Sequence, residues 1–389
     1  MLYSIAAWGL LGLASWSIGL TVLKGLRVNC FIRQGDRLVV AIWLGLVLLS
    51  NGLLTLALGT ALSPGVAMAI AMGTIFLAYC WRCELRQTLP TLSLLQWGGL
   101  LAGLLMVAYY TSQRVTWIDA GLYHFGATRW LAEFGAVPGI ALLLDNFGFT
   151  SAWFALAAPL SPTTIAPRVS AVANSFVLLT MMGAGLIALR RCLYGYAWVS
   201  DWFMVAATVL VLPVLFLTTF MSAILVSPSP DIPVIFLTIM VAWSILIAVN
   251  SSGADAQTVD DVGDHNLKTP LLDVSTIPLI LSAGALSMKL TALPLLPVAL
   301  LFYWTRKSFS INRFLVGGML VLVMLLPTIV MGVVNSGCPF YPVSTLCLDL
   351  PWTLSAEEAN NAAEMIRGWD RWFGTPPADA NPLFWRVWK

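Results

Sequence analysis

Charged side chains are scarce in this sequence. Asp, Glu, Lys and Arg together make up 10% of its 389 residues, whereas 59% of the residues are hydrophobic. Soluble domains carry about 25% charged residues, so the composition excludes an ordinary soluble protein. The mean hydropathy of +0.87 points the same way. We therefore predict an all-α, polytopic integral membrane protein, built as a helical bundle.

Several features of common active sites are also missing. Two histidines in the whole chain make it a poor scaffold for ligating pigments. The sequence has no metal-ligand spacing, no glycine-rich phosphate loop and no Ser-His-Asp order, and no internal repeat recurs at a fixed period. We expect no cofactor, although the residues would permit Mg²⁺, and no nucleic-acid partner.

Apolar runs of about 15–24 residues predict ten transmembrane helices. A turn is expected at Lys289–Pro294, because an unbroken helix there would invert the side of everything after it. The first run has no small-residue cleavage site after it and is expected to be a retained helix. The ten runs are 2–23, 38–61, 66–81, 93–110, 171–189, 202–224, 233–249, 276–290, 292–305 and 314–334.

The distribution of Lys and Arg predicts the orientation. One set of alternate loops holds twelve: Lys24, Arg27, Arg33, Arg37, Arg82, Arg86, Arg190, Arg191, Lys268, Arg306, Lys307 and Arg313. The opposite short loops hold four: Arg114, Arg129, Arg168 and Lys289. The first set is predicted to be cytoplasmic, which places both termini on the extracytoplasmic side of a bacterial cytoplasmic or thylakoid membrane.

This topology divides the chain into six regions. Helices 1–4 occupy 1–111, helices 5–7 occupy 171–250, and helices 8–10 occupy 276–334. Residues 251–275 read as a flexible acidic cytoplasmic loop. Residues 112–170 form an outer loop with two amphipathic helices, Asp119–Phe134 and Phe147–Leu156, the second lying in the membrane interface. An outer tail, 335–389, carries a helix at 355–373 with a Ser cap.

The stretch "TWIDAGLYHFGATRWLAEFGAVPG", 116–139, concentrates chemistry between apolar runs. It holds the candidate base Asp119 and the candidate ligand-binding residues Tyr123, His124 and Arg129. By the predicted topology, the further candidate ligand-binding residues Asp231, Lys289 and Tyr341 lie on the same outer side. Lys and Arg would hold phosphate oxygens, and Asp would accept a proton from an attacking hydroxyl.

Each of these residues also has a purely structural interpretation. Asp119 could cap a helix, and Asp231, between two prolines, could order a turn. Arg129 and Glu133 have the i, i+4 spacing of a surface ion pair. His124 has the alternative of a hydrogen-bonded structural residue, and Lys289 could extend its amine to the membrane surface. In the outer tail, Cys338 and Cys347 lie where a disulfide is permitted.

The motifs also carry a resemblance. "WIDAGLYHFGATRWLAEFGAVPG" resembles the signature of an uncharacterised family of bacterial polytopic membrane proteins, common in cyanobacteria, with a D-x-G-L-Y-H segment. "LVSPSPDIPV", "SMKLTALP" and "SGCPFYP" resemble its further motifs, in the same order. That family is in turn similar to the GT-C membrane glycosyltransferases, which use polyprenyl-phosphate sugar donors and an outer-face acidic base. The resemblance implies Asp119 as base, with His124 and Arg129 near the donor phosphate.

The leading hypothesis is therefore a GT-C-like glycosyltransferase that transfers a sugar to cell-surface polysaccharide or glycolipid. Its partners would be membrane lipids and a polyprenyl-phosphate sugar donor. One rival hypothesis is a transporter or flippase for a lipid-linked or anionic solute, with Lys289 and Asp231 accessible from alternate sides. Another is a non-catalytic subunit that binds other membrane proteins.

Overall fold

A computed structural model describes residues 1–26, 33–88, 94–161, 171–259, 271–306 and 310–372 of the chain. The described residues form helices, turns and irregular loops, and no strand occurs among them. The predicted all-α class is therefore confirmed for this part of the chain.

The α-helices of the described residues are numbered here in chain order. The first eight are α1 (Leu2–Gly25), α2 (Gln34–Ala57), α3 (Pro64–Cys80), α4 (Arg82–Thr88), α5 (Leu94–Thr111), α6 (Phe125–Glu133), α7 (Ala152–Ala157) and α8 (Val172–Leu193). The rest are α9 (Val199–Leu217), α10 (Thr219–Leu225), α11 (Asp231–Val259), α12 (Thr276–Met288), α13 (Leu295–Thr305), α14 (Ile311–Ser336) and α15 (Ala356–Trp372).

Six helices in the described residues are long and apolar enough to cross a membrane, which makes the chain an integral membrane protein by length and composition. They are Leu2–Gly25, Gly35–Ala57, Val172–Leu193, Val199–Leu217, Asp231–Asn250 and Ile311–Ser336. Four further apolar helices are shorter: Pro64–Cys80, Trp97–Thr111, Thr276–Met288 and Leu290–Thr305. Each of these ten helices overlaps one of the ten apolar runs predicted from the sequence.

Two predicted boundaries are wrong. The run at 202–224 is two helices rather than one, because Thr218 is extended between α9 and α10. Its hydroxyl accepts a hydrogen bond of 3.3 Å from the backbone N–H of Met221 and so caps the second helix.

The predicted loop at 251–275 also begins too early, because α11 continues to Val259. No proline stands in that stretch to end the helix. Residues 260–270 lie outside the described residues.

Helices α1 and α2 approach each other closely enough for backbone contact. A Cβ atom built on Gly45 would lie 1.7 Å from the carbonyl oxygen of Ser15, and one on Gly19 would lie 1.8 Å from that of Ala41. Small residues at both crossing points permit this approach, which suits helix pairs in a membrane.

A buried charge network ties α2 to the facing ends of α8 and α9. Arg191 Nη1 donates to Asp36 Oδ1 at 2.6 Å and to Asp201 Oδ1 at 2.9 Å. Arg33 bonds the same two carboxylates, at 2.7 Å to Asp36 and 2.6 Å to Asp201. Its guanidinium also lies 3.9 Å from the centre of the Trp198 ring. Two positive and two negative groups thus neutralise one another at these helix ends.

The prediction of an interfacial helix at Phe147–Leu156 is wrong in both its bounds and its surroundings. The α-helix begins at Ala152, after a 3₁₀ turn at Asp145–Gly148. Trp153 and Phe154 are almost fully buried, at 0% and 2% exposure. The aromatic residues that suggested contact with the membrane interface instead pack inside the protein.

The chain divides into two compact units. The first comprises Met1–Gly135 and Ser151–Thr328, and the second comprises Ala136–Thr150 and Ile329–Lys389. In the second unit Cys338 and Cys347 form a disulfide, as the sequence permitted. The predicted cap of the tail helix is confirmed there. Ser355 Oγ accepts a hydrogen bond of 3.2 Å from the Glu358 N–H, and Glu358 Oε2 accepts one of 2.9 Å from the Ser355 N–H.

Candidate functional site

Lys289 stands at the break between two short apolar helices. Its backbone is extended, with φ −156° and ψ 133°, and a 3₁₀ turn at Leu290–Ala292 follows it before α13 begins. The predicted turn is therefore confirmed. Its ammonium group donates a hydrogen bond to Oδ1 of Asp231, 58 residues earlier in the chain. The lysine thus has a specific partner, and the two side chains remain 33% and 37% exposed, respectively.

Asp231 begins α11 and is positioned by its own turn. Ser229 Oγ donates a hydrogen bond of 2.7 Å to Asp231 Oδ2, and the Asp231 N–H donates one of 3.3 Å back to Ser229 Oγ. The sequence left two interpretations open, a turn-forming residue and a member of the site. The structure shows the turn-forming role, because the second oxygen orders the turn, and it places the first oxygen against Lys289.

Asp119 does not cap its helix. Its backbone is already helical, and its side chain makes no capping hydrogen bond to the π-helical turn Ala120–His124 that follows. Burial raises the pKa of the Asp119 carboxyl above its usual value, and the negative charge of Asp231 raises it further. Lys289 and Trp117 oppose this shift of the pKa, although the indole N–H does not reach hydrogen-bonding geometry.

The aromatic neighbours of this carboxylate are held in the neutral state. Burial lowers the pKa of His124 to about 3, with Asp231 opposing the shift and Lys289 adding to it. Burial, together with the charges of Asp119 and Asp231, raises the pKa of Tyr123. The His124 ring lies 4.4 Å from that of Tyr123 and 5.3 Å from that of Phe154.

His124 differs from a hydrogen-bonded structural histidine. It is 1% exposed, and its Nδ1 has no hydrogen-bond partner among the described residues. A buried nitrogen without a partner costs about 1–3 kcal/mol, which the fold tolerates more readily at a functional position than elsewhere.

Helix α7 connects the separate parts of the site. Ser151 Oγ donates a hydrogen bond of 2.7 Å to the carbonyl oxygen of Met288, next to Lys289. Trp153 Nε1 donates one of 2.8 Å to Asn174 Oδ1, and Asn174 Nδ2 donates one of 2.6 Å to the carbonyl oxygen of Ser227. The short helix therefore supports both the lysine break and the turn that carries Asp231.

Sequence reasoning missed these supporting residues. Asn174 gave a usable signal, because an amide near the start of an apolar span must find a partner inside the protein. Ser151 and Ser229 gave none, since serine is common in loops and next to proline.

Two further predicted site residues contact other side chains. Arg129 is 70% exposed at its side chain and forms the surface ion pair with Glu133, at 2.8 Å, that its spacing allowed. Tyr341 belongs to the second unit, where its ring packs 5.1 Å from that of Phe149. Burial raises the pKa of Tyr341, so its hydroxyl is neutral. The structure thus brings together Asp119, Tyr123, His124, Asp231 and Lys289.

Comparison with protein families gives one assignment. The sequence pattern of a family described as a domain of unknown function, DUF8201, matches residues 1–388. The chain belongs to the DUF8201 family. No curated protein and no solved structure matches it. The family description names no activity.

The site combines three properties. It has a carboxylate with a raised pKa, a lysine ammonium held by a second carboxylate, and neutral aromatic side chains behind them. Among the described residues, no group of three or more His, Cys, Asp or Glu side chains could hold a metal ion. These residues can accept a proton at Asp119 and bind an anionic group at Lys289.

Proposed function

We propose that this DUF8201 protein is a membrane transferase of GT-C type. It transfers a sugar from a polyprenyl-phosphate-linked donor to an acceptor on the outer face of the membrane. The observation that carries the proposal is Asp119, a carboxylate whose pKa is raised and on which the charges of the paired Asp231 and Lys289 act. A general base works best when its pKa is raised toward the working pH.

The remaining parts of the site have roles in the same reaction. Lys289 binds the donor phosphate, which leaves with the negative charge when the sugar is transferred. Asp119 accepts the proton of the attacking acceptor hydroxyl. Neutral His124 and Tyr123 follow Asp119 in the same segment, and burial of His124 limits the access of water there.

The proposal also includes a topology. The six long and four short apolar helices all cross the membrane, which gives ten spans. The excess of Lys and Arg in alternate loops then places Asp119, Asp231 and Lys289 on the extracytoplasmic side, with both termini there. The disulfide between Cys338 and Cys347 supports this orientation, because disulfides persist on the oxidising side of the membrane.

The test is a transfer assay in proteoliposomes. A panel of polyprenyl-phosphate-linked sugars is supplied, and release of polyprenyl phosphate is followed. Asp119→Asn keeps the shape of the side chain but cannot accept the proton, so we expect at least a 100-fold slower release, in line with about 10²–10⁴-fold for general base catalysis. Glu133→Gln, the same change at an exposed ion pair in the same segment, is the control and should retain full activity. Full activity of Asp119→Asn would refute the assigned base.

A specific observation favours transport as a second candidate. Lys289 lies where an apolar helix pair is interrupted, and interrupted helices form the substrate sites of many transporters. Lys289→Cys distinguishes the two functions through labelling with a membrane-impermeant thiol reagent. A transferase with a fixed outer site predicts labelling from the outside only, and a transporter predicts labelling from both sides.

A further inference from the structure

We propose that Asp231 occupies the anion subsite at Lys289 and that the phosphate of the ligand displaces it from the lysine. This inference rests on the proposed function, because that function supplies the anion. The shared chemistry is a phosphate group, carried either by a lipid or by a free ion. Asp231 is then a competitor for the lysine and not a direct contributor to phosphate binding.

The charges of the site lead to this inference. Lys289 is the cation that acts on both Asp119 and His124, and its ammonium is already bonded to Asp231. Arg129, the other cation expected to hold the phosphate, is paired with Glu133 at an exposed position. A phosphate that enters this site therefore meets two carboxylates and a lysine whose ammonium group is already paired with Asp231.

Repulsion between the incoming phosphate and Asp231 makes simultaneous binding unfavourable. Lys289 has one positive charge, and an additional anion next to Asp231 would leave the site with excess negative charge. Exchange removes this conflict, because the phosphate replaces the carboxylate at the ammonium group. An ammonium serves well here, since it is a compact point charge with three donors that can reorient.

The geometry permits Asp231 to leave. Its side chain is 37% exposed and that of Lys289 is 33% exposed, so water can solvate both groups during the exchange. The hydrogen bond of 2.7 Å from Ser229 Oγ holds the second oxygen of Asp231, and it can remain while the first oxygen turns away from Lys289. The released carboxylate therefore keeps a donor and access to solvent.

The test is calorimetric binding to protein in zwitterionic lipid nanodiscs, with two probes. Inorganic phosphate represents a free ion, and farnesyl phosphate represents the same group on a lipid chain. Asp231→Asn removes the competing charge, so we expect a Kd about three- to tenfold lower, consistent with the modest strength of a half-exposed ion pair. Lys289→Met should abolish binding of the tighter probe. Asp349→Asn, an exposed carboxylate in the second unit, is the matched control and should leave the Kd unchanged.

Ser229→Ala provides a second variant in which both charges are retained. Its hydrogen bond to Asp231 is present both before and after the exchange, so the Kd should stay close to that of the wild type, which separates the loss of charge in Asp231→Asn from a loosened turn. Tightening for farnesyl phosphate alone would identify a lipid headgroup as the ligand, and equal tightening for both probes would identify a free phosphate.

Weaker binding in Asp231→Asn, or no binding of either probe to any variant, would overturn the exchange. These outcomes are separate from the transfer assay, which rests on Asp119. Weaker binding in Asp231→Asn together with loss of transfer in Asp119→Asn would refute the exchange and leave the transferase standing. Tighter binding together with full activity of Asp119→Asn would support the exchange and refute Asp119 as the base.

Discussion

The hydroxyl of Ser151 donates a hydrogen bond to the carbonyl oxygen of Met288, the last residue before the extended Lys289. The same hydroxyl accepts a hydrogen bond of 3.2 Å from the backbone N–H of Trp153 and caps α7. One buried side chain therefore fixes both the start of α7 and the end of α12. The position of the lysine depends on a residue 138 positions away in sequence, through contacts that no local pattern reveals.

Ser151→Ala tests this support. The substitution leaves the Met288 carbonyl and the Trp153 N–H without their partner, so we expect a loss of about 1–3 kcal/mol in the free energy of unfolding. Thermal unfolding in detergent, followed by tryptophan fluorescence, measures the change. Ser161→Ala removes a hydroxyl that bonds within its own turn, at 2.9 Å to the carbonyl of Ala157, and should cost less than about 1 kcal/mol. Equal losses in both variants would contradict the supporting role.

Gly45→Ala tests the contact between α1 and α2. A methyl group there would lie 1.7 Å from the Ser15 carbonyl, so the helices must separate. We expect a loss of more than about 3 kcal/mol, or failure to yield a monodisperse protein on size-exclusion chromatography. Gly52→Ala, in the same helix with nothing within 4 Å of the new atom, should be neutral or stabilising by up to about 1 kcal/mol. An unchanged melting temperature in Gly45→Ala would show that the helices do not pack this closely.

Asp201→Asn tests the buried charge network. The change leaves Arg33 and Arg191 with one carboxylate between them, and breaking such a buried pair costs about 3–5 kcal/mol. Glu84→Gln breaks the exposed pair with Lys24, at 3.1 Å, and should cost about 0–1 kcal/mol. Urea titration in mixed micelles compares the two variants. A similar midpoint for both would mean that the network contributes no more than a surface pair.

The stability of the protein should fall in mild acid because of His124. Its pKa is about 3 in the folded protein and about 6.5 when unfolded, so the unfolded chain binds more protons between these values. The free energy of unfolding is therefore unaffected by the protonation of His124 above about pH 6.5. Below that pH it falls, by up to about 1.4 kcal/mol per pH unit, as the pH decreases toward 3.

Melting temperatures of the wild type and of His124→Gln, measured between pH 7.5 and 5, check this dependence. The variant should lose part of the acid sensitivity. Asp119 acts in the opposite direction, because a raised pKa favours the folded state as the pH falls, so the comparison with the variant isolates the histidine. Parallel pH curves for the two proteins would contradict the burial of a neutral imidazole.

The positions of the apolar helices could be predicted because hydrophobic length is a property of local sequence. The break at Lys289 could be predicted for the same reason, since a charged residue and a proline interrupt one apolar run. Counting charges in alternate loops predicts that Asp119, Asp231 and Lys289 lie on one side of the membrane; the structure brings the three residues together and does not test the side. Their functional roles remain predictions.

Other features could not be predicted because they depend on which helices become neighbours. Arg129 and Lys289 were both candidate phosphate ligands from the sequence, yet Arg129 pairs with Glu133 and Lys289 pairs with Asp231. Trp153 was predicted to lie in the membrane interface because the sequence alone does not distinguish an aromatic residue surrounded by lipid from one surrounded by protein. Its partner Asn174 lies 21 positions further along the chain, in another helix.

The most direct test of the central claim is a structure of the protein in lipid with a polyprenyl-phosphate analogue bound. We expect density that reaches from the bilayer and places the phosphate within hydrogen-bonding distance of Lys289 Nζ, with the Asp119 carboxylate facing it and Asp231 turned away. A site filled by the protein's own side chains, with Lys289 still bonded to Asp231 and the analogue bound elsewhere, would show that these residues do not bind the donor.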